Sequence, residues 1–239
     1  MKVSVCVIFP KGENLRDWRE SLPKENIEIV AVETSINPKL KEPIFTNVGR
    51  TGDTVVLAWE VPNFEDYWDF AYLRNKLDEY ATGDWIIHID SDERLSMPHG
   101  QFWDNMHALD ESDAVAAGLT ITGMRSELDE RVGYVRQRYA GANLRIIRNN
   151  QGVKWKAICH EHLDLHGEDV TVADTDILLW HLGYNLDTEQ LRDKAERNAK
   201  LMIREYTREK SERNWNYLIN TFSYHKQKKD EVNNGSRWK

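Results

Sequence analysis

The first 32 residues contain two short apolar runs separated by an amphipathic segment. Residues 3–9 and 27–32 are apolar almost throughout, which is typical of strands buried on both faces of a parallel sheet. Between them, Leu15, Trp18 and Leu22 recur at helical spacing within a predicted helix over residues 13–22. A strand, a helix and a strand in this order predict an α/β class with a mixed, mostly parallel sheet flanked by helices.

The rest of the chain continues this alternation and ends in helices. A helix is predicted over residues 66–80, where Phe70, Leu73 and Leu77 share a face, and Gly83 is predicted to form its left-handed C-cap. Two further helices are predicted, over residues 187–206 and around residues 215–222. Further strands are predicted at residues 54–59, 85–89, 114–122, 134–139, 143–147 and 153–155.

Charge and cysteine content exclude several classes of protein. A net charge of -8 argues against indiscriminate binding to nucleic acid or anionic membrane. The two cysteines, Cys6 and Cys159, are too few for a disulfide framework, and Cys6 is predicted to be a buried thiol.

The N-terminal apolar run is too short for a signal peptide, and no run approaches the roughly 18 apolar residues of a membrane span. We therefore expect a cytoplasmic protein without a transmembrane segment.

Positive charge is concentrated in one block. Residues 131–160 contain no acid and include seven cations: Arg131, Arg136, Arg138, Arg145, Arg148, Lys154 and Lys156. Such a block fits either a polyanionic acceptor or the diphosphate of a nucleotide donor, and it equally fits a solvated face of the sheet.

An acidic cluster, Asp90-Ser91-Asp92-Glu93, directly follows the apolar run of residues 85–89. Ligands of open α/β sheets bind just outside the carboxyl ends of strands. In an extended chain Asp90 and Asp92 point the same way. They are therefore predicted either to share one divalent cation, or to act separately, with one binding the cation and the other a ribose. A cation there would neutralise a departing diphosphate.

Several motifs together resemble those of family 2 glycosyltransferases. The matching segments are an Arg-Asn helix at residues 70–76, an Ala-Thr-Gly-Asp-Trp turn into a strand at residues 81–87, and the Asp-x-Asp-Glu end at residues 90–93. Residues 144–149, 159–161 and 181–184 resemble the branch that contains bacteriocin-modifying S-glycosyltransferases. The resemblance extends from about residue 3 to residue 206.

The resemblance implies a GT-A (Rossmann-like) fold, a nucleotide-diphosphate sugar as donor, and Mn2+ or Mg2+. It divides the chain into a catalytic domain at residues 1–186, a helical extension packed on it at residues 187–228, and a flexible tail at residues 229–239. The C-terminal helices are also a possible homodimer contact. The acceptor is left open among protein, saccharide, lipid-linked and modified-DNA classes.

Site residues follow from the resemblance by position. Asp92 and His181 would bind the metal, with Asp90 as a further ligand or as a contact to the ribose of the donor. Glu161 would be the catalytic base, and apolar neighbours are expected to raise its pKa.

The remaining implied contacts belong to the donor. Arg74 would lie beneath the diphosphate or orient Asp90, Ser91 lies within the donor motif, and Glu33 would contact the nucleobase. Residues 34–38 differ from the family's Gly-Ser-x-Asp-Gly-Thr stretch, so UDP is the default nucleotide only.

The histidines and the function each admit an alternative interpretation. His160-Glu161-His162 lacks the H-E-x-x-H spacing of a zinc protease, because residue 164 is Asp. His88 is predicted to be a buried core histidine with its hydrogen bonds satisfied. A glycosyltransferase acting on a polyanion such as a modified base in DNA, and a nucleotide-sugar binding module without turnover, remain as alternative functions.

Overall fold

The chain folds around one mixed β-sheet with helices on both faces. The structure is a computed structural model of the 239-residue chain, and it describes residues 1–10, 15–34, 54–57, 69–123, 143–165, 170–182 and 188–235. Eight strands form the main sheet in the order β3-β2-β1-β4-β7-β6-β10-β5, and β8 pairs with β9 as a separate hairpin. The elements are β1 (Val3–Pro10), α1 (Arg16–Glu20), β2 (Ile27–Thr34), β3 (Thr54–Leu57), α2 (Phe70–Tyr80), β4 (Trp85–His88), β5 (Glu93–Leu95), α3 (His99–Asp110), β6 (Ala116–Gly123), β7 (Asn143–Arg148), β8 (Lys154–Lys156), β9 (His162–Asp164), β10 (Val172–His181), α4 (Thr188–Arg208) and α5 (Glu212–Gly235).

Alternation along β1 separates two core layers. Val3, Val5 and Val7 pack on one face with Trp18 of α1, while Cys6 lies on the other face. The second layer contains Leu73 and Leu77 of α2, and the first contains Phe102 and Met106 of α3. Because both faces of β1 are buried, its residues are apolar almost without interruption. The predicted α/β class with a mostly parallel sheet is confirmed.

Parallel pairing brings several strand ends to the same edge of the sheet. β1 pairs in parallel with β2 and β4, β2 pairs in parallel with β3, and β6 pairs in parallel with β10. β7 runs antiparallel to both β4 and β6. β2, β4 and β10 therefore point the same way, and the residues after each of them meet at one edge.

The C-terminal elements differ from the prediction at their boundaries. α4 and α5 include the two predicted C-terminal helices, and α5 runs to Gly235, through residues for which the sequence predicts a tail. α3 and β10 were not predicted, and the predicted strand at residues 134–139 lies outside the described residues. Within the described part of the chain, no helix is long and apolar enough to span a membrane.

Gly83 does not form the left-handed C-cap that the sequence predicts. The C-cap of α2 is Ala81, in an extended conformation, and the glycine with a positive φ among the described residues is Gly152. Gly83 instead lies against β1: its N–H donates to Ser4 Oγ at 2.8 Å. A Cβ at this position would lie 2.6 Å from Ser4 N and 2.9 Å from Lys2 O, both backbone atoms.

We expect Gly83→Ala to lower the free energy of unfolding by about 1–3 kcal/mol, because β1 must shift to admit the methyl group. The matched control is Gly100→Ala in α3, where an added Cβ meets nothing within 4 Å. That variant should be unchanged or more stable by up to about 1 kcal/mol, since alanine is the better helix former. Urea unfolding of both variants measures the difference, and equal effects would contradict the close-packing explanation.

Candidate active site

The acidic cluster after β4 forms a turn rather than an extended segment. Glu93 N donates to the Asp90 carbonyl oxygen at 2.9 Å, which closes a four-residue turn, and Asp90 N donates to Glu93 Oε2 at 2.8 Å. A turn directs alternate side chains differently from a strand. The prediction of an extended chain through Asp90 and Asp92 is therefore wrong, and the two carboxylates have different partners.

Asp90 is held by two arginines. Its Oδ1 accepts from Arg74 Nη2 at 2.8 Å, and its Oδ2 accepts from Arg145 Nη2 at 3.2 Å. Burial favours the neutral acid, but the charges of Arg145 and Arg74 outweigh it and hold the pKa of Asp90 well below its usual range. Asp90 is thus a fixed anion whose two oxygens are already engaged.

Arg74 connects this turn to Glu161. Its Nε donates to Glu161 Oε1 at 2.7 Å, so one guanidinium bridges two carboxylates that are distant in sequence. Arg74 lies on α2, is only 2% exposed, and its guanidinium carbon lies 5.0 Å from the centre of the Trp155 ring. The planar fork of arginine suits such a double contact, which a single ammonium group cannot reproduce.

Glu161 has a lower pKa than the sequence suggests. Burial by itself would raise it, as predicted, but the charges of Arg74 and Arg145 outweigh burial, so the pKa of Glu161 is lowered. The expectation of a raised pKa is therefore wrong. The carboxylate is ionised at neutral pH and able to accept a proton.

Asp92 lies on the other side of the turn, beside His181. Asp92 Oδ2 is 3.3 Å from His181 Nε2 and 3.6 Å from Lys194 Nζ, and the Leu182 N–H donates to the Asp92 carbonyl at 2.7 Å. Burial lowers the pKa of His181, but its hydrogen bond with Asp92 and the charge of that residue raise it overall. A carboxylate and an imidazole at this separation fit part of a divalent-cation site. Asp90 does not join them, because its oxygens face Arg74 and Arg145.

The other predicted donor contacts lie at the same edge. Ser91 occupies the turn itself, and its carbonyl accepts from Arg94 Nη1 at 2.7 Å. Glu33 pairs in register with Phe9 near the end of β2, and its side chain lies outside the described part of the structure. Glu33, Asp90 and His181 thus belong to strand ends that meet at one edge of the sheet.

A second group of potential ligands lies in the core behind this edge. Cys6, Asp78 and His88 each offer one atom within 4.8 Å of the others, and they form the one such group of three among the described residues. His88 Nε2 lies 2.7 Å from Asp78 Oδ1, while His88 Nδ1 is buried without a partner. The prediction of a buried thiol at Cys6 is confirmed. His88 is buried as predicted, but only one of its ring nitrogens is satisfied.

Two residues of the site were not assigned by sequence reasoning. By sequence Arg145 belongs to the basic block, whereas its guanidinium turns inward to Asp90. For Glu93 the Asp-x-Asp-Glu motif implies no separate role. Glu93 is 1% exposed, and burial together with the charge of Asp90 raises its pKa to about 7. The signal for Arg145 is its position in a strand next to the acidic turn.

Because the pKa of Glu93 is raised above its value of about 4.3 in an unfolded chain, the protein loses stability as the pH rises through about 7. We expect Glu93→Gln to be more stable than the natural protein at about pH 8, by about 1–4 kcal/mol, and to lose that advantage near pH 4. Glutamine keeps an oxygen that can accept from Asp90 N. Urea unfolding at the two pH values, with chelator present, measures the difference. A variant that is less stable at both would show that Glu93 is ionised and held by Arg145.

Comparison with known proteins gives distant relatives. Glycosyltransferase SunS of Bacillus subtilis is 27% identical over 175 residues, which is 70% of this chain and 39% of SunS. A TPR repeat-containing protein of Synechococcus elongatus is 28% identical over 213 residues, which is 82% of this chain and 46% of that protein. The chain therefore spans less than half the length of these curated relatives. No protein-family model matches it.

Solved structures of S. aureus TarS are more distant. The match to TarS covers 85% of this chain and 39% of the TarS chain, with a TM-score of 0.49 and 13% identity. The match to TarS 1–349 in complex with UDP-GlcNAc covers 94% of this chain and 72% of the TarS 1–349 chain, with a TM-score of 0.44 and 14% identity. The fold defines an α/β protein with a mixed, mostly parallel sheet flanked by helices. In sequence the chain resembles the glycosyltransferase SunS.

Proposed function

We propose that this chain is the catalytic part of a metal-dependent glycosyltransferase. It would move a sugar from a nucleotide-diphosphate sugar, with UDP as the default nucleotide, to an acceptor hydroxyl or thiol. The observation that carries the proposal is the Arg74 bridge, which joins the Asp90 carboxylate at a strand end to the Glu161 carboxylate from the β8–β9 hairpin. A protein that only bound a nucleotide sugar would not need a second, ionised carboxylate beside the donor edge.

The metal and the donor would be held by the residues after β4 and β10. Asp92 and His181 would bind Mn2+ or Mg2+, and the bound cation would neutralise the departing diphosphate. Asp90 is fixed by Arg74 and Arg145, which suits a contact with the ribose or with metal-bound water better than direct ligation. Ser91 and Glu33 would complete the donor contacts.

The reaction would be a single displacement at the anomeric carbon. Glu161 takes the proton of the acceptor O–H or S–H as the acceptor atom bonds to that carbon. The bond from the anomeric carbon to the diphosphate oxygen breaks, and the nucleoside diphosphate leaves with the electron pair. Inversion at the anomeric carbon is what the family resemblance implies.

A thermal-shift panel of nucleoside diphosphates and nucleotide sugars, with and without Mn2+, tests the donor site. Ligands that bind only the folded protein raise its apparent stability, so a metal-dependent rise should identify the nucleotide. A flat response to every nucleotide, with Mn2+ present and the protein folded, would overturn the proposal.

Asp92→Asn should abolish the part of this shift that depends on Mn2+, because an amide is a far weaker ligand for a hard cation than a carboxylate. The expected loss is at least tenfold in the apparent affinity for Mn2+, on the order of the effects seen when metal-site partners are removed. The matched control is Asp104→Asn, an exposed residue of α3. An Asp92→Asn variant that retains the full Mn2+ effect would place the metal elsewhere, with the Cys6, Asp78 and His88 group as the next position to test.

The polyanionic acceptor remains the second candidate, with less support from the described residues. Arg145 pairs with Asp90, and Arg148 donates to the carbonyls of Ala114 and Ser112 while stacking on Trp85. These two cations of the basic block therefore have partners inside the protein. Arg131, Arg136 and Arg138 lie outside the described residues. A steep salt dependence of acceptor binding would favour this candidate.

A homodimer through the C-terminal helices also remains a proposal. α5 exposes Trp215, Ile219 and Phe222, and α4 exposes Ile203. Sedimentation of the protein over a range of concentrations would measure its oligomeric state.

A further inference from the structure

The segment that precedes Glu161 has an unusual backbone. Ala157 has a φ of 75° and His160 a φ of 55°, so two residues with side chains adopt the left-handed conformation within four positions. This conformation is unfavourable for any residue with a Cβ and persists only where the surroundings impose it. The bonds that impose it come from outside the hairpin.

The middle of the segment is fixed by two helices. The Ile158 N–H donates to Glu205 Oε2 of α4 at 2.7 Å, and the Ile158 carbonyl accepts from the Phe70 N–H of α2 at 3.0 Å. Glu205 is only 1% exposed, and its other oxygen accepts from Arg208 at 3.1 Å. A buried carboxylate that caps a backbone N–H in this way makes a strong, charge-assisted hydrogen bond.

α5 holds the residue next to Glu161. Arg213 Nη2 donates to the His160 carbonyl at 2.7 Å. The His160 ring stacks on the Tyr217 ring with centroids 4.5 Å apart, and the Arg213 guanidinium lies 4.9 Å from the centre of the same ring. Two side chains, Arg213 and Tyr217, therefore restrain His160, whose backbone determines the direction in which Glu161 leaves the segment.

An apolar cluster completes the attachment. Ile158 and Cys159 are buried together with Leu201 and Met202 of α4 and Leu218 of α5. The contacts of α4 and α5 with the rest of the protein thus include the segment that presents Glu161 to Arg74.

We propose that the α4–α5 extension is a positioning device for the site, in which Glu205, Arg213 and Tyr217 hold residues 157–160 so that Glu161 meets Arg74. The proposal rests on the proposed function for the role of Glu161, but the restraint itself is a separate, measurable property. Without it the strained residues relax and the carboxylate leaves the bridge. Asp90 and Asp92 have further partners, Arg145 and His181, that should keep the donor site after β4 in place.

Arg213→Met and Tyr217→Leu test the proposal, with Arg204→Met, an exposed arginine of α4, as the matched control. We expect kcat to fall on the order of 10-fold to 100-fold in the two test variants, because small displacements of a reacting group are costly. The KM for the nucleotide sugar should stay unchanged. Arg213→Lys keeps a donor for the His160 carbonyl and should retain most of the turnover.

Hydrogen exchange provides a readout that does not depend on catalysis. Amides of residues 157–161 should exchange about tenfold faster in Arg213→Met and Tyr217→Leu, while those of β1 and β4 stay as protected as before. Unchanged exchange in this segment would overturn the proposal, and so would faster exchange with an unchanged kcat. If the natural protein turns over no nucleotide sugar while the exchange result holds, the proposed function fails but the restraint stands.

Discussion

Replacing Glu161 with glutamine is expected to lower kcat by about 100-fold to 10,000-fold, the usual range for removing a general base. Glutamine has nearly the same shape and retains an oxygen that can accept from Arg74, so the hairpin should stay in place. Donor binding should also be unchanged, because the donor contacts after β2, β4 and β10 are untouched and Arg74 keeps its bond to Asp90. The measurement is nucleoside diphosphate release at saturating donor and metal.

Glu79→Gln is the matched control for this variant. Glu79 lies on α2, is 55% exposed and pairs with Lys76, so the same substitution there should leave kcat unchanged. Normal turnover by Glu161→Gln would show that another group removes the proton. Loss of donor binding together with kcat would show that Glu161 belongs to the donor site.

Replacing Arg74 with methionine should have the largest effect on stability. The change leaves Asp90 with one arginine and Glu161 without the guanidinium that holds it. Breaking a buried ion pair by removing one partner costs about 3–5 kcal/mol of unfolding free energy. The loss should be smaller at low pH, because protonation of the two carboxylates removes the uncompensated charge.

Urea unfolding of Arg74→Met at about pH 7 and about pH 4 measures both effects. Arg16→Met is the control, since Arg16 is 71% exposed and its pair with Glu20 should be worth less than about 1 kcal/mol. A loss for Arg74→Met no larger than that for the control would show that the bridge contributes little to the fold. The site would then have to be organised by Arg145 alone.

The strands next to the site were predictable because their residues are buried on both faces. β1, β2 and β4 lie in short, largely apolar runs, and their strand-like length together with the turn residues that flank them favours strands. β10 was missed for the opposite reason. Its first half, Val172–Asp176, alternates exposed and partly buried residues, and the apolar run at residues 177–180 is too short to distinguish a strand from a helix.

The arrangement of the acidic turn could not be inferred from spacing. Asp90 and Asp92 diverge because Glu93, which is buried, accepts from Asp90 N and closes the turn. The partner of each aspartate comes from a distant part of the chain: Arg74 and Arg145 for Asp90, and His181 for Asp92. Only the resemblance to a known family connected Arg74, Glu161 and His181 beforehand, and it assigned no role to Arg145.

Glu161 illustrates how local sequence can mislead about charge. Trp155, Ile158 and Leu163 surround it in sequence and are buried, which by itself raises a carboxyl pKa. The dominating neighbours, Arg74 and Arg145, lie on α2 and β7 and lower it instead. The local sequence therefore predicts the burial of Glu161 correctly, but not the two arginine charges that oppose the effect of burial on its pKa.

A crystal structure with Mn2+ and the nucleoside diphosphate selected by the thermal-shift panel tests the central claim most directly. We expect the cation between Asp92 and His181 and the diphosphate at the same edge of the sheet. Glu161 should still be bonded to Arg74 and should lie on the side of the diphosphate from which an acceptor can approach. A nucleotide bound elsewhere on the protein, with the edge after β4 and β10 empty at saturating concentration, would contradict the account.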